Sequence, residues 1–351
     1  MMRNTIRTVH LSIALVAAVF VVILGVTGSV MAFEPELDHF LHRDLWQVTP
    51  QGTPLSLDDL VAKTLVRYPG ERATGAWVSE APHLAARVSL PGKTVFVNPY
   101  TGEMIGLGAT TPDILARIHQ LHLRLLWMSH PDAGKKIVGG MDVAMLFLVL
   151  SGFYLWWPLK RFTIAWRASR RRRWLDVHAV TGISVFAFLL LLGLTGAAIA
   201  FDGAEDLAYR ITGSAPTPRP AHVVTSLPSG RISLDRAMTI AREAIPGATP
   251  FQISIPKPDG TFSIRARFPE DLTPGGRSRI EVDQYTGEVV FAEGSRTAPA
   301  GTRAVILNRA IHTGDVFGVP SRILMSLASV LTVVMATSGL LTWWHRTRAS
   351  K

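Results

Sequence analysis

Eleven histidines and no cysteine set the chemistry open to this chain. Without thiols there are no disulfides, thiolate metal sites, iron–sulfur clusters or covalent haem attachment through a Cys-x-x-Cys-His box. A metal has only imidazole, methionine or oxygen to hold it. Position singles out some of the histidines: His10 and His178 each begin a long apolar run, whereas His119, His122 and His312 lie shortly before another such run. Imidazole is the usual protein ligand of haem iron, and a low-spin electron carrier commonly takes two axial ligands. Pseudo-symmetry pairs His10 with His178 for one haem iron and His122 with His312 for a second.

His119 and His122 share one helix face through their i, i+3 spacing. One could ligate iron while the other donates a hydrogen bond or caps a surface. Repeat alignment sets His119 opposite His312, but the flanking His122-Leu123-Arg124-Leu125-Leu126 favours His122, which is preferred as the ligand. His345 reads as an interfacial cation, and His39, His42, His83, His130 and His222 carry no spacing signal. No His-Glu-x-x-His helix marks a zinc site.

The elements that must position these residues are membrane spans. Of the 351 residues 48% are hydrophobic and only 18% charged, against about 25% charged in ordinary soluble domains. The net charge of +10 therefore does not suggest a soluble nucleic-acid binder. A span needs roughly 20 apolar residues, and residues 11–33, 137–157, 179–201 and 323–344 qualify, with Asp142 the only charge of the second. Lys and Arg collect in 1–10, in the loop 158–178 and in the tail 345–351, which ends on Lys351. The positive-inside rule makes these segments cytoplasmic. The connections 34–136 and 202–322 then lie outside, in the periplasm of a bacterial cell. Residues 1–32 also resemble a cleaved signal peptide ending at Val30-Met31-Ala32, but the length of the run and its repetition later in the chain favour a retained span.

That repetition is an internal duplication. Leu24-Gly25-Val26-Thr27-Gly28 recurs as Leu192-Gly193-Leu194-Thr195-Gly196, Tyr100-Thr101-Gly102-Glu103 as Tyr285-Thr286-Gly287-Glu288, and Ser151-Gly152 as Ser338-Gly339. At the first of these offsets His10 falls on His178. Each half reads as span, outer α+β domain, span. In the outer domains 57–68 and 234–245 have helical periodicity behind the capping residues Ser56 and Ser233. Alternating runs at 85–90, 94–97, 251–255, 262–268 and 279–282 read as strands. The Tyr-Thr-Gly-Glu elements read as turns whose glycines take a positive φ. Small residues permit close approach of a helix or a flat macrocycle, so Gly28 and Gly196, and Gly152 and Gly339, are candidates for haem packing.

With these pieces assembled, the whole chain resembles the PepSY-associated transmembrane protein family, which includes iron-regulated membrane proteins and ferric-siderophore reductases. The resemblance is carried by His10 with Thr27-Gly28, Pro99-Tyr100-Thr101-Gly102-Glu103, His122 followed by Gly139 and Ser151-Gly152, Asp176-Val177-His178 with Gly182 and Thr195-Gly196, and Ile311-His312-Thr313-Gly314 with Gly318. Gln284 stands where the first half has Pro99, a departure from the commoner turn. The resemblance implies an α-helical four-span bundle with two periplasmic PepSY-like domains in the bacterial inner membrane, and b-type haem held by histidines. It also implies electron flow outward to a ferric siderophore or similar chelate.

The leading expectation is thus a di-haem b oxidoreductase that reduces ferric chelates and releases iron, fed by a cytoplasmic reductase or a quinol. Outer-sphere transfer needs no acid, base or nucleophile, in keeping with the lack of any catalytic triad or paired-carboxylate motif. The alternative is a PepSY-domain protein that binds or regulates a periplasmic protease or peptide without redox activity. A transporter is less favoured, since no span has a central break or a mid-membrane carboxylate.

Overall fold

The computed structural model describes residues 1–108, 113–127, 129–224 and 230–348, so Lys351 of the basic tail lies outside the described residues. In chain order the helices are α1 Met2–Met31, α2 Glu34–Leu41, α3 Arg43–Trp46, α4 Leu57–Arg67, α5 Ile114–Arg124, α6 Pro131–Trp156, α7 Arg170–Ala200, α8 Gly203–Thr212, α9 Leu234–Ala244, α10 Ala300–Thr313 and α11 Val319–Arg348. Of these, α1, α6, α7 and α11 are long and apolar enough to cross a membrane. Each extends beyond its apolar run because hydrogen bonding continues into the polar flank: α7 starts at Arg170, where the Ser169 hydroxyl accepts from the Arg172 N–H. Composition marks the hydrocarbon length, whereas caps mark the helix ends.

The chain folds as two compact units. The first comprises residues 1–34, 114–207 and 307–351. In it the spans form a ring in which α1 meets α6, α6 meets α7, α7 meets α11 and α11 returns to α1. Val149, Val185, Leu189 and Ala328 fill the centre. Val16, Val19, Leu150, Leu194 and Leu327 stay exposed on the bundle, where lipid can cover them. The chain is a multi-pass membrane protein.

The second unit, residues 35–113 and 208–306, holds one antiparallel sheet. Its strands are β1 Gly75–Trp77, β2 Ala86–Leu90, β3 Lys93–Val97, β4 Met104–Leu107, β5 Thr249–Ser254, β6 Thr261–Arg267, β7 Ser278–Asp283 and β8 Val289–Glu293. Their order is β4-β3-β2-β1-β5-β6-β7-β8. The two repeats in this unit share the sheet: β1 and β5 pair edge to edge, Ala76 opposite Ile253. This joint hides each repeat's otherwise open edge. A Cβ on Gly75 would stand 2.9 Å from the Ile253 carbonyl oxygen, so the joint needs glycine there.

Alternation places Phe262, Ile264, Ala266, Ile280 and Val282 on one face against Ala237 and Ala241 of α9. Val88, Val95 and Val97 pack with Leu60 of α4 in the same way. On the opposite face of the first repeat the Arg87 guanidinium is sandwiched 4.7 Å from the Trp46 ring and 4.1 Å from Trp77. In the turns, Gly102 and Gly287 adopt φ of +75° and +76°, while Asn98 and Asp283 accept from the next two N–H groups but one.

Ser56 and Ser233 cap α4 and α9 by accepting from Asp59 N–H and Arg236 N–H. Ser233→Ala is expected to cost about 1 kcal/mol and to lower the melting temperature by roughly 2–4 °C. An unchanged melting curve would mean that water replaces the cap fully.

Candidate functional site

Four of the histidines are held in the same way, each ring against a glycine of a neighbouring helix and each Nδ1 on an oxygen close to that glycine. His10 on α1 has Nδ1 2.8 Å from Ser151 Oγ on α6, and a Cβ added to Gly152 would lie 3.5 Å from its ring. His178 on α7 has Nδ1 2.8 Å from the Met335 carbonyl of α11, with its ring 3.0 Å from the Cβ position of Gly339. The two rings belong to helices diagonal in the bundle and stand 6.5 Å apart between centroids, nearly perpendicular at 79°.

The second set repeats the device. His122 on α5 has Nδ1 2.8 Å from Thr27 Oγ1 of α1, and His312 on α10 has Nδ1 3.0 Å from Thr195 Oγ1 of α7. Each ring carbon Cε1 sits 3.1 Å from the Cβ position of Gly28 or Gly196 respectively. Thus the recurring Thr-Gly and Ser-Gly dipeptides are imidazole cradles. These four glycines are the candidates for haem packing, and a histidine ring lies against each of them.

These bonds also fix the tautomers. Thr27 Oγ1 lies 2.7 Å from the Ile23 carbonyl, Thr195 Oγ1 2.7 Å from Leu191 O, and Ser151 Oγ 2.7 Å from Phe147 O. A hydroxyl has a single hydrogen, so once it is donated to the carbonyl of the preceding turn the oxygen can only accept from the imidazole. His178 faces a carbonyl, which cannot donate at all. All four rings therefore carry their proton on Nδ1 and leave the Nε2 lone pair for a metal.

Burial reinforces this state: it pushes His122 down to about 4, helped by the nearby His312 and His119. Burial likewise takes His312 down to about 4, with a contribution from Arg309. Both rings are neutral bases at pH 7.

The donor set suits a transition metal held by imidazoles: His10 and His178, with ring centroids 6.5 Å apart, would hold one ion, and His122 and His312 would hold a second. An anchored Nδ1–H is the usual second partner of a metal-bound histidine.

The structure separates the two neighbours on α5. His122 takes the place equivalent to His312, whereas His119 Nδ1 is 2.7 Å from Glu34. The Ile-His dipeptides align His119 with His312, but it is His122 that shares the Thr-Gly contact of His312. Among the other histidines, His42 pairs with Asp38, His222 with Asp283, and His39 packs at a tilt against Trp46. The symmetry is not exact: the Met335 carbonyl takes for His178 the part that Ser151 Oγ takes for His10. Asp142 is buried beside Gly196, 2.7 Å from its Cβ position, where the other half sets Ser329 beside Gly28.

Thr27, Thr195 and Ser151 were not singled out from the sequence as partners of the rings. Their signal was present in the conserved spacing of each dipeptide within the repeat, but which histidine each serves is a contact between helices. No curated protein is significantly similar to the chain. The model of the family described as the PepSY-associated TM region matches residues 7–346, and with the bundle, the sheet and the duplicated cradles in place the chain belongs to that family.

Proposed function

We propose that the chain is a di-haem b electron-transfer protein of the inner membrane that reduces ferric siderophores or similar ferric chelates in the periplasm. The observation that carries the reading is the set of four cradled imidazoles, each with Nδ1 on an oxygen of a neighbouring helix. A b-type haem bound at each pair would supply reversible one-electron storage. His10 and His178 would hold one iron, and His122 and His312 the other. Thr27 lies 17 residues beyond His10 on α1, about 26 Å along the helix axis, which is close to the roughly 30 Å hydrocarbon layer. The two sets of ligands thus serve opposite faces of a bilayer.

The protein's own contribution is orientation and tuning. Ser151, Met335, Thr27 and Thr195 lock each ring through Nδ1 and raise the basicity of Nε2. The rings are half-buried, and the cradle glycines let them seat close to the helix backbone. No side chain has to exchange a proton with the chelate: one electron converts ferric to ferrous iron, which hard oxygen chelators hold less tightly.

Oxidised and dithionite-reduced visible spectra of the detergent-purified protein test the proposal. Sharp reduced bands with about two haems per chain are expected for two bis-imidazole centres. A folded protein without haem would eliminate the reductase and leave the PepSY binding role as the reading to pursue.

A further inference from the structure

At one end of the β1–β5 joint in the sheet unit lies a cavity of about 360 Å³ lined by Arg72, Ala73, Arg231, Pro256, Lys257 and Pro258. Register explains the meeting: Gly75 pairs with Ser254 in an antiparallel ladder, so continuing outward brings Arg72 opposite Lys257. Arg231 enters from the segment before α9 and reaches the Pro256 carbonyl at 3.4 Å.

Three cations therefore converge on one concavity, and none of them has an acidic partner among the described residues. Glu71, beside Arg72 in sequence, is committed to Lys93 at 2.6 Å. Asp259 follows Pro258 and does not line the cavity. Unneutralised like charges around a concave surface focus a positive potential into it.

The cavity wall is built, and Gln284 builds it. This residue is fully buried, and its Nε2 lies 2.8, 3.0 and 2.7 Å from the carbonyl oxygens of Lys257, Pro258 and Gly260. Its counterpart in the first repeat is Pro99. Both take the same backbone role, accepting from Ile232 N–H or Leu55 N–H at the start of the repeat's helix. Proline has no side-chain donor with which to hold a loop, so only the second repeat can fix this wall. The substitution that breaks the turn pattern is thereby explained as the clamp of the loop that presents Lys257.

We infer that this cavity binds a compact organic polyanion carrying two or three carboxylates. The volume lies within the range of small-molecule sites, about 300–1,000 Å³, and is larger than a single inorganic anion requires. Arginine forks match carboxylates two oxygens at a time. Pro256 and Pro258 offer a rigid apolar wall for a carbon skeleton. The ligand is either the free hydroxycarboxylate or its ferric complex, which share this chemistry. The site stands on the sheet unit alone and holds whether or not the bundle carries haem.

Citrate is the probe, titrated calorimetrically into the full-length protein in detergent at low ionic strength. Saturable binding is expected, weakened at least tenfold in the Arg72→Gln/Lys257→Gln double variant and in Arg231→Gln. All three side chains are exposed, so the variants should melt like the wild type. Gallium(III) citrate, a redox-inert stand-in for the ferric complex, identifies the source: whichever form binds more tightly is the ligand. Absence of saturable citrate binding, variants that bind like the wild type, or tighter binding of inorganic phosphate than of citrate would overturn the assignment. Haem content read on the same samples keeps the two readings apart. Citrate binding by a haem-free protein defeats only the electron-transfer reading, and a fully haem-loaded protein that ignores citrate defeats only this one.

Discussion

His178→Ala is expected to remove one haem per chain and leave the other in place, lowering the haem-to-protein ratio from about two to about one. The expectation comes from the ring geometry. His10 and His178 stand 6.5 Å apart on diagonal helices, and among the described residues no other histidine lies against Gly152 or Gly339. Without His178, His10 would be the one imidazole of this pair left to hold a haem. His312→Ala should mirror the result for the other centre, and the two variants should lose spectrally distinct components. His119→Ala supplies the discriminating control. Its Nδ1 is engaged by Glu34, so both haems should be retained. Loss of a haem in His119→Ala with retention in His122→Ala would reverse the assignment on α5. Equal haem content in His178→Ala and wild type would remove His178 from the ligand set.

Much of this arrangement was legible before any coordinates. Hydropathy located the spans because length and apolarity are local properties. The duplication paired His10 with His178 because both halves keep the same interval from histidine to Thr-Gly. What sequence could not supply is contact between distant segments. That Thr27 serves His122 and Ser151 serves His10 depends on which helices become neighbours in the ring. The single continuous sheet was hidden for a related reason: β1 has three residues, too few for alternation to register, and β4 alternates poorly, with its two ends exposed. The helix caps at Ser56 and Ser233 were readable because a cap lies within four residues of the groups it serves. Gln284 was visible only as an anomaly, since its meaning lies in carbonyls some two dozen residues away.

A second device invisible to sequence binds the two repeats, and disrupting it is expected to cost about 2–3 kcal/mol per substitution. The Asp58 carboxylate near the start of α4 accepts from Leu234 N–H at 2.9 Å and Asp235 N–H at 3.1 Å, at the start of α9. Asp235 returns the arrangement, accepting from Leu57 N–H and Asp58 N–H at 3.0 Å each. Each helix thus caps the other, satisfying N–H groups that have no partner within their own helix and setting a negative charge at a positive helix end. Asp58→Ala or Asp235→Ala leaves two such donors bare. The melting temperature should fall by roughly 5–10 °C.

The pair also dictates a pH dependence. Burial raises Asp235, and its contact with Asp58 raises it further. Burial acts the same way on Asp58, but hydrogen bonds from Asp235 and from the Leu234 and Asp235 N–H groups outweigh it and leave Asp58 below its ordinary 3.8. The folded pair therefore favours holding one proton. As pH rises from 3.8 through the raised value, the folded state gives up that proton against its preference and stability falls. As pH drops below 3.8 toward the lowered value, the unfolded chain takes up a proton that the folded pair resists, and stability falls again. The wild type should show a stability maximum in the ordinary aspartate range that either alanine variant lacks. Above the raised value, where both carboxylates are charged, the first substitution also relieves their repulsion, so the double variant should lose more than the sum of the two singles. At the pH where one proton is shared, the interaction is attractive and the double variant should lose less than that sum. A coupling that keeps one sign across the titration would mean that the two carboxylates share no proton, and a coupling of zero that they act independently.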